Sequence, residues 1–314
     1  MSQAPRVSVV MCAYNGLGLI EQAIGDIVAQ SLTDWELVIS DDGSTDGTRD
    51  YLRLLDDPRI RVILRDSNLG YVANKNAAFA SARGAWLTQL DQDDRSAPDR
   101  LERQLAALER TGLQMCATGF RRIGLDGAQR GEVGPADETV IAGKGEGDYP
   151  FWFPSIMASR AVHEAIGDFP LYFAGAFGDD LYWTMRANDH FPILCLPQPL
   201  YAYRESAGSI TSTLDNPRKL VMGGILRHLV FQRRATGTDD LERGDLASLA
   251  ETEKRILADP YYLAEQYRTY AARSIDQGRF AEARRLLGKA LVVRPWSLSQ
   301  YRTVAYYIRA RLLR

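Results

Sequence analysis

Histidine and cysteine are scarce in this chain, three of each among 314 residues. His163, His190 and His228 stand at no metal-ligand spacing to one another or to any cysteine, which argues against zinc. Cys12, Cys116 and Cys195 are odd in number, far apart and set among apolar neighbours. That argues against a disulfide framework and predicts buried thiols in a reducing cytoplasm. An excess of charge is missing too. The 38 basic and 40 acidic residues leave a net charge of -2, which supplies no general attraction to nucleic acid. No run approaches the ~18 apolar residues of a membrane span. The apolar start "VSVVMCAY" meets Asn15-Gly16 without a small-residue cleavage site, so it reads as a strand rather than a signal peptide.

What is present is an alternation of two periodicities. Short β-rich runs occur at Val7–Cys12, Glu36–Ser40, Ile60–Leu64, Ala85–Leu90 and Leu113–Thr118. Helical patterns lie between them at Leu19–Gln30, Asp46–Leu55, Tyr71–Ala82 and Pro98–Arg110. Strands alternating with helices of this size predict an α/β fold, a mainly parallel sheet sandwiched by helices. From Gly124 to Gly147 the pattern gives way to a glycine-rich loop, and beyond Asn216 the chain reads as helices. We place a first domain at residues 1–215 and a helical C-terminal region at 216–314. Within the latter, "GRFAEARRLLGKALVVRP" has the spacing of half a tetratricopeptide repeat. About three units are needed for a solenoid, so a single helical hairpin at about 262–296 is expected.

Ligands of a parallel sheet bind at the carboxyl ends of its strands. Those ends deliver Ala13-Tyr14-Asn15-Gly16, Asp41-Asp42-Gly43-Ser44 and Asp91-Gln92-Asp93-Asp94. Two of the three clusters are rich in carboxylate, and a rim this acidic calls for a cation, which oxygen ligands would hold as magnesium, manganese or calcium. Asp46 and Asp99 read instead as turn formers or helix caps. "GLGLIE", from Gly16 to Glu21, nearly spells a dinucleotide fingerprint, but Glu21 occupies the third glycine position and the Asp91 cluster stays unexplained.

Taken in order, "VSVVMCAYNG", "WELVISDDGSTDGT", "NLGYVANKNAAFASARGAWLTQLDQDD" and "PDRLERQ" resemble family 2 glycosyltransferases of the GT-A fold. The resemblance is closest over Val7 to about Gln104 and runs more weakly to about Thr211. It implies inverting transfer of a sugar from a nucleotide-diphosphate donor, a UDP-sugar, to a saccharide or lipid-linked acceptor. By the same likeness Cys12, Ala13, Tyr14, Asn15 and Asp42, with Asp41 adjacent, fall on the donor's base and ribose. Asn68, Gly70 and Lys75 look like the next donor-binding segment. Asp91, Gln92 and Asp93 would be the DxD motif, with Asp91 and Asp93 as ligands of Mn2+ or Mg2+, and Asp94 holds the turn or a water on the metal.

An inverting reaction also needs a base on the acceptor side. The family's Gly-Glu-Asp motif is matched by "FGDDLYWTMR", which puts Asp180 at the base position and Asp179 in place of the Glu. Trp152 and Phe153 of "YPFWFPS" are placed to stack on an acceptor sugar, or to join an aromatic core. Arg204 of "YRESAGSIT" is available to a phosphate, while Ser206 stands where the family often has a histidine. A catalytically inactive GT-A protein and a nucleotidyltransferase are the alternatives, although "CAYNGLGLIE" lacks the basic phosphate loop the latter needs. The tail from Arg294 to Arg314 holds five arginines and no acid among aromatic and aliphatic residues, which fits either peripheral contact with the inner face of the cell membrane or a terminal helix packing on its own domain.

Overall fold

The first apolar run becomes a strand one residue longer than expected, β1 (Val7–Ala13), buried along its whole length. The computed structural model describes residues 4–143, 149–205, 214 and 216–312. By internal contacts the chain divides into two units, one of Met1–Gly175 with Asp179–Glu205, the other of Ala176–Gly178 with Ser206–Arg314.

In the first unit β1 is followed by α1 (Ile20–Val28), β2 (Trp35–Asp41), α2 (Thr48–Arg53), β3 (Ile60–Leu64), α3 (Tyr71–Ser81) and β4 (Trp86–Gln89). These strands pair parallel in the order β3-β2-β1-β4. Both faces are covered. Val9 and Met11 pack with Ile20, Ile24 and Ile27 of α1, while Val10 turns to Ala78 of α3. That two-sided burial is why β1 reads as a continuous apolar run rather than an alternating one.

Past β4 come β5 (Arg95–Ser96), α4 (Arg100–Thr111) and β6 (Met115–Ile123). Leu101, Leu105 and Leu108 face the first core, and α4 stops at Gly112, whose left-handed φ of 69° suits a helix C-terminus. The stretch expected to be a loop contains two short strands, β7 (Gln129–Val133) and β8 (Thr139–Ile141), paired antiparallel to their neighbours. Its last residues, 144–147, lie outside the described part. The unit closes with β9 (Met157–Ser159), α5 (Arg160–Ile166), α6 (Asp179–Asn188) and β10 (Ile193–Arg204). β9 inserts antiparallel between β4 and β6, and β10 runs parallel to β6, so the sheet is mostly parallel with antiparallel insertions.

The second unit is helical, with α7 (Met222–Thr236), α8 (Leu246–Leu257), α9 (Pro260–Asp276), α10 (Phe280–Val293) and α11 (Leu298–Leu312). Asp245 caps α8 through the Ser248 N–H, and Asp259 caps α9 ahead of Pro260. α9 and α10 form a helical hairpin around Tyr270, Ala271, Leu286 and Leu287, onto which Val304 and Tyr307 of α11 pack.

Candidate active site

The carboxyl ends of β1, β2 and β4 meet on one rim because the three strands are parallel neighbours. After β1 the chain turns at Asn15, whose φ of 47° is left-handed, the one such non-glycine among the described residues. Its side chain is held there: Oδ1 accepts the Thr45 N–H at 2.8 Å, and its own N–H donates to Ser44 Oγ at 2.9 Å. Asn15 thus ties the first turn to the second. Gln92 ties it to the third, since Oε1 accepts the Tyr14 N–H and Nε2 donates to the Tyr14 carbonyl, each at 3.0 Å. Tyr14 itself projects half-exposed from this frame, whereas Cys12 and Ala13 are buried beneath it. Burial pushes the Cys12 thiol up to about 12.

At the end of β2 the two acids diverge. Asp41 is wholly enclosed, accepting from the Ser44 N–H and facing Arg49 at 3.4 Å. It shapes the turn beside Asp42. Asp42 accepts the N–H groups of Leu69 and Gly70 at 2.8 and 3.0 Å, and Asn68 Oδ1 also accepts from Gly70. The segment 68–70 is therefore pinned to the rim at the start of α3. Asp46 accepts from Leu17, Thr48 N–H and Thr48 Oγ, a turn former as expected. Asp99 stands at the α4 N-cap position, but its carboxylate goes to Arg103 rather than to a backbone N–H.

The acids after β4 are treated unequally. Asp94 is buried and fully engaged, accepting from Tyr201 Oη at 2.6 Å and from the Arg204 N–H at 2.7 Å. Asp91 accepts from Gln89 Nε2 and, at 3.4 Å, from Tyr71 Oη. Burial, then the charge of Asp93, pushes Asp91 up to about 6, against the pull of Gln89 and Lys75. Asp93 is raised by burial as well, and its own backbone N–H and the charge of Arg204 offset only part of that. Among the described residues no three His, Cys, Asp or Glu side chains gather around one point. A hard cation of the magnesium type needs only one or two protein carboxylates when substrate phosphates and water complete its shell. Asp91 and Asp93, two oxygen donors made uncomfortable by each other and by burial, fit that requirement.

Lys75 and Arg204 both have partners within the protein. Neither faces open space on this rim. Lys75 is 1% exposed and paired with Asp179, its Nζ lying 4.2 Å from the centre of the Phe169 ring and 4.6 Å from that of Tyr71. Burial opposes its charge, but Asp179 and Asp180 outweigh burial and keep the ammonium protonated. Arg204 is buried and donates from Nε to the Asp93 carbonyl at 2.7 Å and from Nη1 to the carbonyls of Gly124 and Leu125. It braces the backbone of the acidic turn. Ser206 lies outside the described residues.

Asp179 and Asp180 open α6, where a helix N-terminus favours negative charge. They differ in partners. Asp179 has Lys75, whereas Asp180, among the described residues, accepts the N–H of Leu181 at 2.7 Å. Burial first and Asp179 second push Asp180 up to about 6, with Lys75 acting the other way. Asp180 borders a small cavity of about 30 Å³, room for about one water, whose other walls include Phe79, Phe153, His163, Phe169 and Trp183. Phe153 thus reaches the cavity as well as the aromatic cluster of Tyr149 and Phe151. Trp152 does not: it packs 4.1 Å from the Tyr203 ring and near Phe120, the aromatic core contact that was one of its two expected roles. His163 stacks between Phe79 and Trp183, and burial drives it down to about 3, a neutral imidazole.

Sequence reasoning missed Tyr71, Gln89 and Tyr201, which position the acidic turn. Gln89 alone left a signal, since it stands two residues before Asp91 on the line of β4.

The glycosyl transferase family 2 model matches residues 8–167. The putative glycosyltransferase EpsE of Bacillus subtilis is 31% identical over 230 residues, 69% of this chain and 81% of that protein. The succinoglycan biosynthesis protein ExoO of Rhizobium meliloti is 36% identical over 127 residues, which span 40% of this chain and only 36% of ExoO. Among solved structures, S. aureus TarS 1–349 in complex with UDP-GlcNAc superposes with a TM-score of 0.59 at 15% identity, covering 88% of each chain. That likeness extends to the fold, the GT-A type.

Proposed function

The chain belongs to glycosyl transferase family 2, and on that premise we propose that it moves a sugar from a UDP-sugar to a hydroxyl of a saccharide or lipid-linked acceptor, with inversion, in polysaccharide or glycoconjugate synthesis. The observation that carries the reading is the division of labour among its carboxylates. Asp91 and Asp93 are left under-compensated at the end of β4, and among the described residues Asp180 has no cation of its own, since Lys75 is paired with Asp179. The UDP-GlcNAc carried by the structurally similar TarS fragment, and the succinoglycan pathway named for ExoO, support the donor and the product class.

Tyr14, half-exposed above a turn locked by Gln92 and Asn15, offers a ring face to the base. The segment pinned by Asp42 closes the same side. Asp93, with Asp91 held beside it by Gln89 and Tyr71, would hold magnesium or manganese. When bound, that cation supplies Lewis-acid neutralisation of charge on the departing diphosphate. Arg204 and Tyr201 fix the turn that presents both acids. On the acceptor side, the Asp180 carboxylate takes the proton of the attacking hydroxyl. The acceptor oxygen bonds to the anomeric carbon from the face opposite the diphosphate, whose oxygen leaves with the electron pair. An acid near 6 is mostly ionised at neutral pH yet more basic than an ordinary carboxylate, which suits that task. Phe153, half-buried at the edge of the small cavity beside it, offers an aromatic face for an acceptor sugar. The free, buried thiols suit a reducing cytoplasm.

The test is to separate binding from transfer. Asp180→Asn should bind UDP as the parent does and lose sugar transfer by roughly 10²–10⁴-fold. Normal turnover in that variant would remove Asp180 from the mechanism.

A further inference from the structure

The last helix wears its apolar residues on the outside. α11 packs inward through Gln300 and Thr303, with Val304 and Tyr307 half-buried beside them. Leu298, Tyr301, Ala305, Ile308 and Leu312 are all exposed, Leu312 by 80%. At 100° per residue they fall within a sector of roughly 80°, a continuous stripe along the helix. Trp296, just ahead of the helix, is 92% exposed. Arg302 and Arg309, both exposed, border the stripe on one side.

The charge along this stretch of the sequence is of one sign. From Ala283 to Arg314 the sequence holds eight basic residues and no acid. Arg284, Arg285 and Lys289 of α10 are exposed as well. Asp276, the acid that reaches α11 from α9, is engaged by Tyr306 Oη. A second copy of the same helix would bring arginine against arginine with nothing to neutralise it, which disfavours self-pairing. No helix among the described residues is long and apolar enough to cross a membrane. An apolar stripe with a basic border and a tryptophan at its end matches a helix that lies in a membrane interface.

We propose that α11 is a docking surface for an anionic lipid bilayer, with Leu298, Tyr301, Ile308 and Leu312 entering the acyl boundary and Arg302 and Arg309 meeting lipid phosphates. The inference stands apart from the transfer reading, since these residues belong to the other unit and none carries a catalytic role. Its failure would leave that reading untouched.

The test is sedimentation of the full chain with phosphatidylglycerol–phosphatidylcholine vesicles and with pure phosphatidylcholine vesicles. Binding is expected to the first and not the second, weakening with salt. A basic residue near an anionic surface contributes about fivefold in affinity, so Arg302→Gln with Arg309→Gln should weaken binding roughly 30-fold. Leu298→Glu with Ile308→Glu, at exposed positions that leave the fold intact, should abolish it. No sedimentation with anionic vesicles, or undiminished binding by both double variants, would overturn the proposal. So would a concentration-dependent dimer of the parent that Ile308→Glu disperses, because the stripe would then belong to a second copy.

Discussion

Replacing Lys75 with methionine removes the cation but keeps the length of the side chain. Lys75 and Asp179 are both almost fully enclosed, so the change leaves a carboxylate buried beside the already elevated Asp180. Breaking a buried ion pair at one end costs about 3–5 kcal/mol, because the remaining charge keeps its desolvation penalty. The lower end applies here, since the orphaned acid can relieve itself by taking up a proton. Urea unfolding at pH 7, followed by tryptophan fluorescence, should therefore show Lys75→Met less stable by about 3 kcal/mol. Adding Asp179→Asn removes the stranded charge and should restore at least half of the loss. Catalysis supplies a second reading. Lys75 lowers the pKa of Asp180, so its removal raises that pKa, and the acid limb of the rate profile should move to higher pH. A Lys75→Met protein within about 0.5 kcal/mol of the parent, with no coupling to Asp179, would refute the reasoning.

Three further outcomes follow from the same geometry. Asp93→Ala should abolish manganese-dependent UDP binding, measured by calorimetry, while leaving the melting temperature of the protein near that of the parent. The transfer rate of the parent should rise with pH through about 6 as Asp180 ionises, since the carboxylate and not the acid accepts the proton. Glu36 is buried in β2, yet bonds from Ser8, Arg83 and Arg61 overcome burial and hold it below the usual range. Its lowered pKa makes its contribution complete above the unfolded value and lost as pH falls through the folded one. Glu36→Gln should thus cost about 3 kcal/mol in urea unfolding at pH 7, with the difference shrinking at pH 3.

The elements legible in the sequence are those whose own residues dictate them. β1 and β2 are buried along their length because both faces are covered, and the polar turns that follow them, Asn15-Gly16 and Asp42-Gly43, end the apolar signal. Leu101, Leu105 and Leu108 announce α4 by their spacing alone. β9 is three residues long and β5 two, too short to show any period, so the antiparallel insertion was invisible. The polar contacts were harder still. A lysine near the donor segment and an arginine at a strand end look alike whether they meet a phosphate, an acid or a carbonyl. Only the fold brings Lys75 to Asp179 and Arg204 to the Asp93 carbonyl. Trp152 and Phe153 are neighbours in the chain, yet one enters the core and the other borders the cavity, a distinction set by the local turn rather than by residue type.

The most direct test of the central claim is calorimetric titration of the full chain with UDP, with and without manganese, repeated for Asp180→Asn. The account predicts metal-dependent binding of equal affinity in parent and variant, because the donor site and the base lie on different elements. Absence of UDP binding by the parent with manganese present would contradict it.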